Sequence, residues 1–330
     1  MIKTNIDITP IKFDFSKNVE LFDYIKGWSI LFVILTHCWP RSFRSHILFC
    51  TWGQMAVPLF LLISTALFFR KSDVPSLSIT INKLFKRVIK PYLYLELAVL
   101  IFSLLLGIHS LFSALSFLVY KGGFGPGSYY VPMFVIYSLI LPFSFYLFNS
   151  TRKIVCFCIL IIVISVISIL FLPASLYRIL PFRYLSLIPL GYIWAKKGIC
   201  FSILTFLLSI VSFFFLLVFH YSTISFFPIF WTEQPWDYAN WICYFWPAFF
   251  LPFIFRELMR RNFLNTNFLF ECAGKRSLEI FLLQMTLFFW IRRLPFIVEN
   301  IIVYTIVSLI LSFLPIYIYD NFMSKQNHLK

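Results

Sequence analysis

The amino-acid sequence predicts an all-α, polytopic integral membrane protein forming a single domain over residues 1–330. Composition is the first reason: 61% of the 330 residues are hydrophobic and 12% are charged, against roughly 25% charged in an ordinary soluble domain. The second is the repeated occurrence of apolar stretches near the ~20 residues that a spanning helix needs. The third is the placement of the cations between those stretches, which alternates along the chain as the positive-inside rule requires.

Taken in order, residues 1–20 mix acids and bases and hold no apolar core of the kind a cleaved leader has. They are expected to form a cytoplasmic N-terminal segment, with the first apolar helix acting as a retained targeting signal. Ten stretches then qualify as spans: 22–39, 52–69, 91–107, 131–148, 154–172, 180–195, 199–219, 238–255, 277–291 and 296–319. Two carry polar interruptions, Arg183 and Pro189 in 180–195, and Glu279 and Gln284 in the short 277–291 stretch. Segment 108–120 is too short to span after Gly107 and reads as a re-entrant or interfacial piece. Gly122, Gly123, Gly125 and Gly127 follow it with no preceding strand and no Gly-Lys-Ser/Thr, so a flexible loop is expected there rather than a phosphate-cradling one. The stretch 220–237 carries Trp231, Glu233, Trp236 and Asp237 and suits either an interfacial aromatic belt or contact with sugar.

Ten spans put both termini on one side, and the cations decide which. Of 28 Lys and Arg residues, Arg41, Arg44, Lys121, Arg178, Arg292 and Arg293 fall on the opposite side and Lys26 and Arg183 fall within spans. The other 20 share the side of the termini, which is therefore expected to be cytoplasmic, with 320–330 as a cytoplasmic tail. The formal net charge of +15 is thus a matter of topology and not of nucleic-acid binding. Seven cysteines, an odd number lying mostly in or beside apolar stretches, show neither a disulfide framework nor zinc spacing, and no metal is expected.

Ionisable groups inside spans are costly and mark functional sites. The first span concentrates them. His37 follows Lys26 by eleven residues, which at 100° per residue returns it to within about 20° of the same face and about 16 Å further along the axis. Asp23, three residues before Lys26, falls near that face as well. An imidazole is the side chain best suited to take a proton from a hydroxyl near neutral pH. The plainer alternative is a histidine capping the helix at the outer interface, where Trp39 and Pro40 follow.

Phe22-Asp23-Tyr24-Ile25-Lys26-Gly27 and the apolar stretch to His37 resemble the opening helix of the acyltransferase 3 family, in which a basic residue precedes a histidine with ten positions between. Val57-Pro58-Leu59-Phe60-Leu61-Leu62-Ile63-Ser64 resembles that family's second-helix motif. Lys83, Lys86, Arg87 and Lys90, ending at Pro91-Tyr92, resemble its basic segment before the third helix. Gly274-Lys275-Arg276-Ser277-Leu278-Glu279-Ile280-Phe281-Leu282-Leu283 is similar to a late motif. Three positions depart from the pattern: Lys26 where arginine is common, Thr65 where glycine is usual, and Gln284 where a histidine commonly follows the late motif.

The resemblance implies a membrane O-acyltransferase of the bacterial cytoplasmic membrane. Such an enzyme moves an acyl group, most often acetyl, from acyl-CoA to a hydroxyl of a surface polysaccharide or its lipid-linked precursor, with acetyl-CoA or another acyl-CoA as donor and no bound cofactor. His37, Lys26 and Asp23 are then the candidate catalytic residues. Lys86, Arg87 and Lys90 are candidate contacts for the coenzyme A phosphates, because anions need cations where they dock. Glu96, one turn inside the third span, needs a partner and is expected to pair with Lys26 or the basic run. Ser64 is a candidate acyl carrier and Gln284 a candidate for orienting a hydroxyl. The rival reading is a transporter or flippase for a glycan or acylated lipid, whose polar residues line a bundle without doing chemistry.

Overall fold

The structure, a computed structural model, describes residues 11–13, 19–39, 49–71, 76–221, 242–261 and 267–328. Trp231, Glu233, Trp236, Asp237, Arg41, Arg44 and most of residues 1–20 lie outside the described residues. A three-residue strand, β1 (Ile11–Phe13), pairs antiparallel with β2 (Ile199–Phe201), and helices make up nearly all the rest.

Those helices are α1 (Val19–Cys38), α2 (Ala56–Phe69), α3 (Leu77–Leu84), α4 (Lys90–Leu105), α5 (Leu111–Lys121), α6 (Tyr130–Leu147), α7 (Thr151–Phe171) and α8 (Leu187–Lys197). They continue with α9 (Ile203–Tyr221), α10 (Leu251–Arg260), α11 (Asn267–Lys275), α12 (Ser277–Ile291) and α13 (Ile301–His328). Serines begin four of them: the side chains of Ser76, Ser110, Ser150 and Ser202 accept hydrogen bonds from the amides of Ile79, Ser113, Lys153 and Thr205, which would otherwise be orphaned at the helix start. Gly122, at φ 73°, ends α5 in the left-handed region that glycine enters without cost.

Among the described residues, six helices are long and apolar enough to cross a membrane: Glu20–Cys38, Thr51–Phe69, Leu77–Leu105, Tyr130–Leu147, Thr151–Ser168 and Ile301–Tyr319. The protein is therefore a membrane protein, but the ten expected spans are not all formed as such. The 180–195 stretch breaks into a 3-10 turn at Pro181–Tyr184 and the 11-residue α8. The 277–291 stretch is a helix of 15 residues, and 238–255 is described only as a π-helical turn at Trp246–Phe250 leading into α10. Proline explains the first of these breaks, since Pro181 lacks the amide that a continuing helix uses.

Apolar side chains face outward as well as inward, unlike in a soluble protein. Leu93, Leu97, Ile101 and Leu105 of α4 and Ile159, Val163 and Ile167 of α7 are exposed to the surroundings. Ile25, Ile30 and Ile34 of α1 and Leu61, Leu62 and Ile63 of α2 are fully buried. The ring of outer helices thus meets lipid, and α1 and α2 stand at the centre.

Small residues let backbones meet around α1. A Cβ added to Gly27 would overlap the carbonyl of Phe270, and one added to Gly274 would overlap the carbonyl of Asp23. The α1–α11 contact is therefore a glycine-mediated close approach, the mode by which membrane helices gain packing energy without a hydrophobic drive. A parallel case explains Thr65. Its hydroxyl bonds the carbonyl of Leu61 at 2.8 Å and the Tyr137 hydroxyl at 2.7 Å, while a Cβ on Gly191 would come within 2.6 Å of the Thr65 methyl. The small residue of that contact sits on α8 instead of α2.

Candidate active site

The site begins with α1, one unbroken helix of 20 residues, so the eleven-residue spacing between Lys26 and His37 holds as expected. At the Asp23 end, Lys26 Nζ lies 2.6 Å from Asp23 Oδ1, with both side chains largely buried. An i,i+3 pair of this kind neutralises a cation that a membrane interior would otherwise reject.

At the other end, the ring of His37 packs edge-on to Phe288 of α12 with centroids 5.8 Å apart. Arg292 donates from Nη2 to the His37 carbonyl at 3.2 Å and from Nε to the Tyr304 hydroxyl at 3.3 Å. The last turn of α1 is thereby tied to α12 and α13, and its free carbonyl is satisfied.

The glycine-rich stretch after α5 is not a flexible loop. Gly122, Gly123, Phe124 and Ser128 are buried, and the segment folds back into the bundle as a re-entrant loop. Its own groups hold it: Ser128 Oγ donates to the carbonyls of Lys121 and Gly123, and the Tyr130 amide to the Gly127 carbonyl. Gly125 presses against the backbone of Met285, and a Cβ built on Gly127 would stand 3.4 Å from His37 Nε2 and 3.7 Å from Phe281 Cζ. Glycine is required at Gly125 for closeness and at Gly127 for its φ of 85°. The residue facing the imidazole nitrogen is thus a bare backbone Cα.

Glu96 belongs to the same loop rather than to the basic run. Its Oε2 accepts from the Phe124 amide at 3.0 Å, and Tyr92 beside it donates to the Gly122 carbonyl. No ion pair joins Glu96 to Lys26 or to the basic residues among the described residues, because Lys26 is already paired with Asp23. The expected partner was a charge; the observed one is a loop amide that only folding could bring near.

Gln284 is fully buried, and neither end of its amide has a hydrogen-bond partner among the described residues. On α12 it lies about 60° from Phe281 and about 40° from Phe288 in angle, on the same side of the helix as the two rings that meet Gly127 and His37. Ser64 lies elsewhere. Its neighbour Thr65 meets Gly191 and Tyr137, and Phe22 packs 5.9 Å from Trp194, which puts this part of α2 toward the Asp23 end of α1. Lys86, Arg87 and Lys90 are exposed on the side of the helix opposite the buried Leu84 and Val88, with Lys90 5.7 Å from the Tyr94 ring. They are open to solutes and lipid and do not converge with Lys26.

One charged residue near the site received no role from the sequence. Arg183 is buried, its guanidinium 5.1 Å from the ring of Tyr129 and 4.7 Å from that of Tyr184. Tyr129 follows Gly127 by two residues, so Arg183 supports the far side of the re-entrant loop by cation–π contact. An arginine within an apolar stretch was the available signal.

An apolar helical bundle with an imidazole, a buried amide and a carboxylate gathered around one re-entrant loop defines a polytopic membrane protein with an internal polar site. The family model described as an acyltransferase domain, acyltransferase 3, matches residues 19–320, and the chain belongs to that family. It is by that membership a membrane acyltransferase. Comparison with curated proteins and with solved structures gives no match.

Proposed function

We propose that the protein is an O-acyltransferase of a bacterial cytoplasmic membrane, with both termini in the cytoplasm. In this reading it moves an acyl group, acetyl in the simplest case, from acyl-CoA to a hydroxyl of a surface polysaccharide or its lipid-linked precursor. The observation that carries the reading is His37 Nε2 set against the bare backbone of Gly127. That is an imidazole carried by a membrane-spanning helix, with glycine backbone packed beside its Nε2.

Acyl-CoA docks from the cytoplasm through the exposed Lys86, Arg87 and Lys90, and its thioester end enters the bundle on the Lys26–Asp23 side. His37 takes the proton of the acceptor hydroxyl as its oxygen attacks the thioester carbonyl. The tetrahedral oxyanion that forms draws on a nearby donor, a role for which the buried, unpartnered Gln284 amide is the candidate. Collapse breaks the carbon–sulfur bond, and the coenzyme A thiolate leaves and takes up a proton. Gln284 can hold a hydroxyl but cannot carry a proton at neutral pH, which leaves the proton chemistry to His37. A relay through an acyl-Ser64 would need a base other than His37, since Ser64 lies toward the opposite end of α1.

Purified protein supplied with labelled acetyl-CoA and membrane-derived glycans should place label in alkali-labile ester, and His37→Ala should lower that rate about 10²–10⁴-fold. Full transfer by His37→Ala would remove the general-base role. No transfer by the wild type with any acyl-CoA would favour a transporter that moves glycan or acylated lipid unchanged.

A further inference from the structure

Helix α4 meets the rest of the protein along a narrow stripe. Its buried residues are Glu96, Val99 and Ser103, while Leu93, Leu97, Ile101 and Leu105 face outward. A carboxyl group is a costly side chain for such a stripe inside a membrane, so its contacts show what it is kept for.

Those contacts converge on Gly123. Glu96 Oε2 accepts from the Phe124 amide at 3.0 Å, and the Tyr92 hydroxyl, one turn earlier, donates to the Gly122 carbonyl. A Cβ on Gly123 would stand 2.6 Å from Glu96 Oε1 and 2.8 Å from the Tyr92 hydroxyl oxygen. The two side chains thus grip the peptide groups on both sides of one glycine, whose φ of 136° also excludes most other residues.

The grip is passed on because the loop is short and closed on itself. Ser128 Oγ donates to the Gly123 carbonyl, the Ser128 amide to the Gly125 carbonyl and the Tyr130 amide to the Gly127 carbonyl. Three glycines of this one segment rest on three helices: Gly123 on α4, Gly125 on the Met285 backbone of α12, and Gly127 against His37 of α1. The contacts of Gly125 and Gly127 are close packing, which sets no direction. The bonds to α4 are directional and fix where along the bundle the loop sits.

We infer that Glu96, assisted by Tyr92, is a positioning residue for His37: it sets the register of the re-entrant loop, and through the loop the packing and access at Nε2. A carboxyl group accepts from the Phe124 amide whether or not it carries a proton, and so does a glutamine side chain. The consequence for acyl transfer rests on His37 being the base proposed above; the consequence for access to the imidazole does not.

The test uses full-length protein in nanodiscs and two readouts that need no acyl donor. Hydrogen exchange of the 122–128 amides reports the grip, and carbethoxylation of His37 by diethylpyrocarbonate, located by peptide mass spectrometry, reports access to the imidazole. Glu96→Leu should exchange the loop amides about 10–100-fold faster and label His37 about tenfold faster. Tyr92→Phe, a smaller change that removes one hydroxyl, should shift both readouts the same way by about 3–10-fold. Glu96→Gln, which keeps an acceptor oxygen, should stay within about threefold of the wild type on both. Gly107→Ala, at the far end of α4 with nothing within 4 Å of the added Cβ, is the destabilised control and should exchange and label there as the wild type does. In the labelled acetyl-CoA assay Glu96→Leu should lower kcat about 10–100-fold with KM for acyl-CoA unchanged, and Glu96→Gln should recover most of the rate. Loop exchange or His37 labelling at the wild-type rate in both Glu96→Leu and Tyr92→Phe, or a Glu96→Gln variant as impaired as Glu96→Leu, would overturn the inference. Faster labelling of His37 with transfer undiminished would uphold the positioning and count against His37 as the base.

Discussion

Substituting Gly127 by alanine separates the site from the fold. Two costs are built into that position. Alanine at φ 85° carries the steric penalty of the left-handed region, about 1–2 kcal/mol. Its methyl also stands 3.4 Å from His37 Nε2, where an acceptor oxygen hydrogen-bonded to that nitrogen would lie at about 2.8 Å. The methyl therefore occupies the approach to the base. Gly107 supplies the matching control, since it has a φ of 64° but nothing within 4 Å of a Cβ placed there. Both variants should melt a few degrees lower by differential scanning fluorimetry, about the shift expected of 1–2 kcal/mol. In the labelled acetyl-CoA assay Gly107→Ala should retain its rate while Gly127→Ala loses about 10²-fold, the lower range of a lost general base. If the two variants keep equal activity, the space beside Nε2 is not where the acceptor docks, and the argument from Gly127 fails.

Three other substitutions probe separate parts of the structure. Gly274→Ala would drive a Cβ into the Asp23 carbonyl and force α1 and α11 apart, costing about 1–3 kcal/mol; an unchanged melting curve would mean the helices do not touch there. Gln284→Leu removes a buried amide that has no partner, so stability should hold or rise by up to about 1–3 kcal/mol while the Michaelis constant for acceptor increases; a clear loss of stability would show that the amide is bonded within the protein. Glu257, beyond the apolar stretch, has its carboxylate held down to about 2 by hydrogen bonds from Arg260 and Arg261. Its folded value lies below the unfolded one, so whatever stability it gives is present above the ordinary carboxylate range and fades as pH falls toward about 2. Glu257→Gln should accordingly differ from the wild type by a constant melting offset between pH 5 and 8, and an offset that varies across that range would contradict the assignment.

The first helix could be read from sequence because its information is local. Spacing along one helix fixed the common face of Lys26 and His37, and the i,i+3 rule brought Asp23 to Lys26. The shortness of the 108–120 stretch also marked a segment that could not span. What surrounds His37 was not legible, since it comes from remote pieces of chain. Glu96 and Phe124 are 28 positions apart, and nothing in either sequence neighbourhood names the other. The four glycines of 122–127 were a visible signal, but composition cannot tell a loop in water from a loop packed in protein. Gly27 and Gly274 were equally visible, and their meaning as points of backbone contact depended on knowing that α1 and α11 are neighbours. Among the described residues six helices are long and apolar enough to span, not ten, for a related reason: hydropathy registers apolar content and not the continuity of the helix, which is interrupted at Pro181.

The re-entrant loop is held in shape mostly by its own groups. Its turns close on themselves, and the polar links named here between it and α4 are the Glu96–Phe124 and Tyr92–Gly122 hydrogen bonds. Drawing it aside as one piece therefore breaks few bonds, at about 0.5–3 kcal/mol apiece depending on charge, whereas unravelling it would strand many amides in hydrocarbon. The segment therefore keeps its own shape through internal bonds, and its place in the bundle rests on packing against the Met285 backbone and on two bonds to α4.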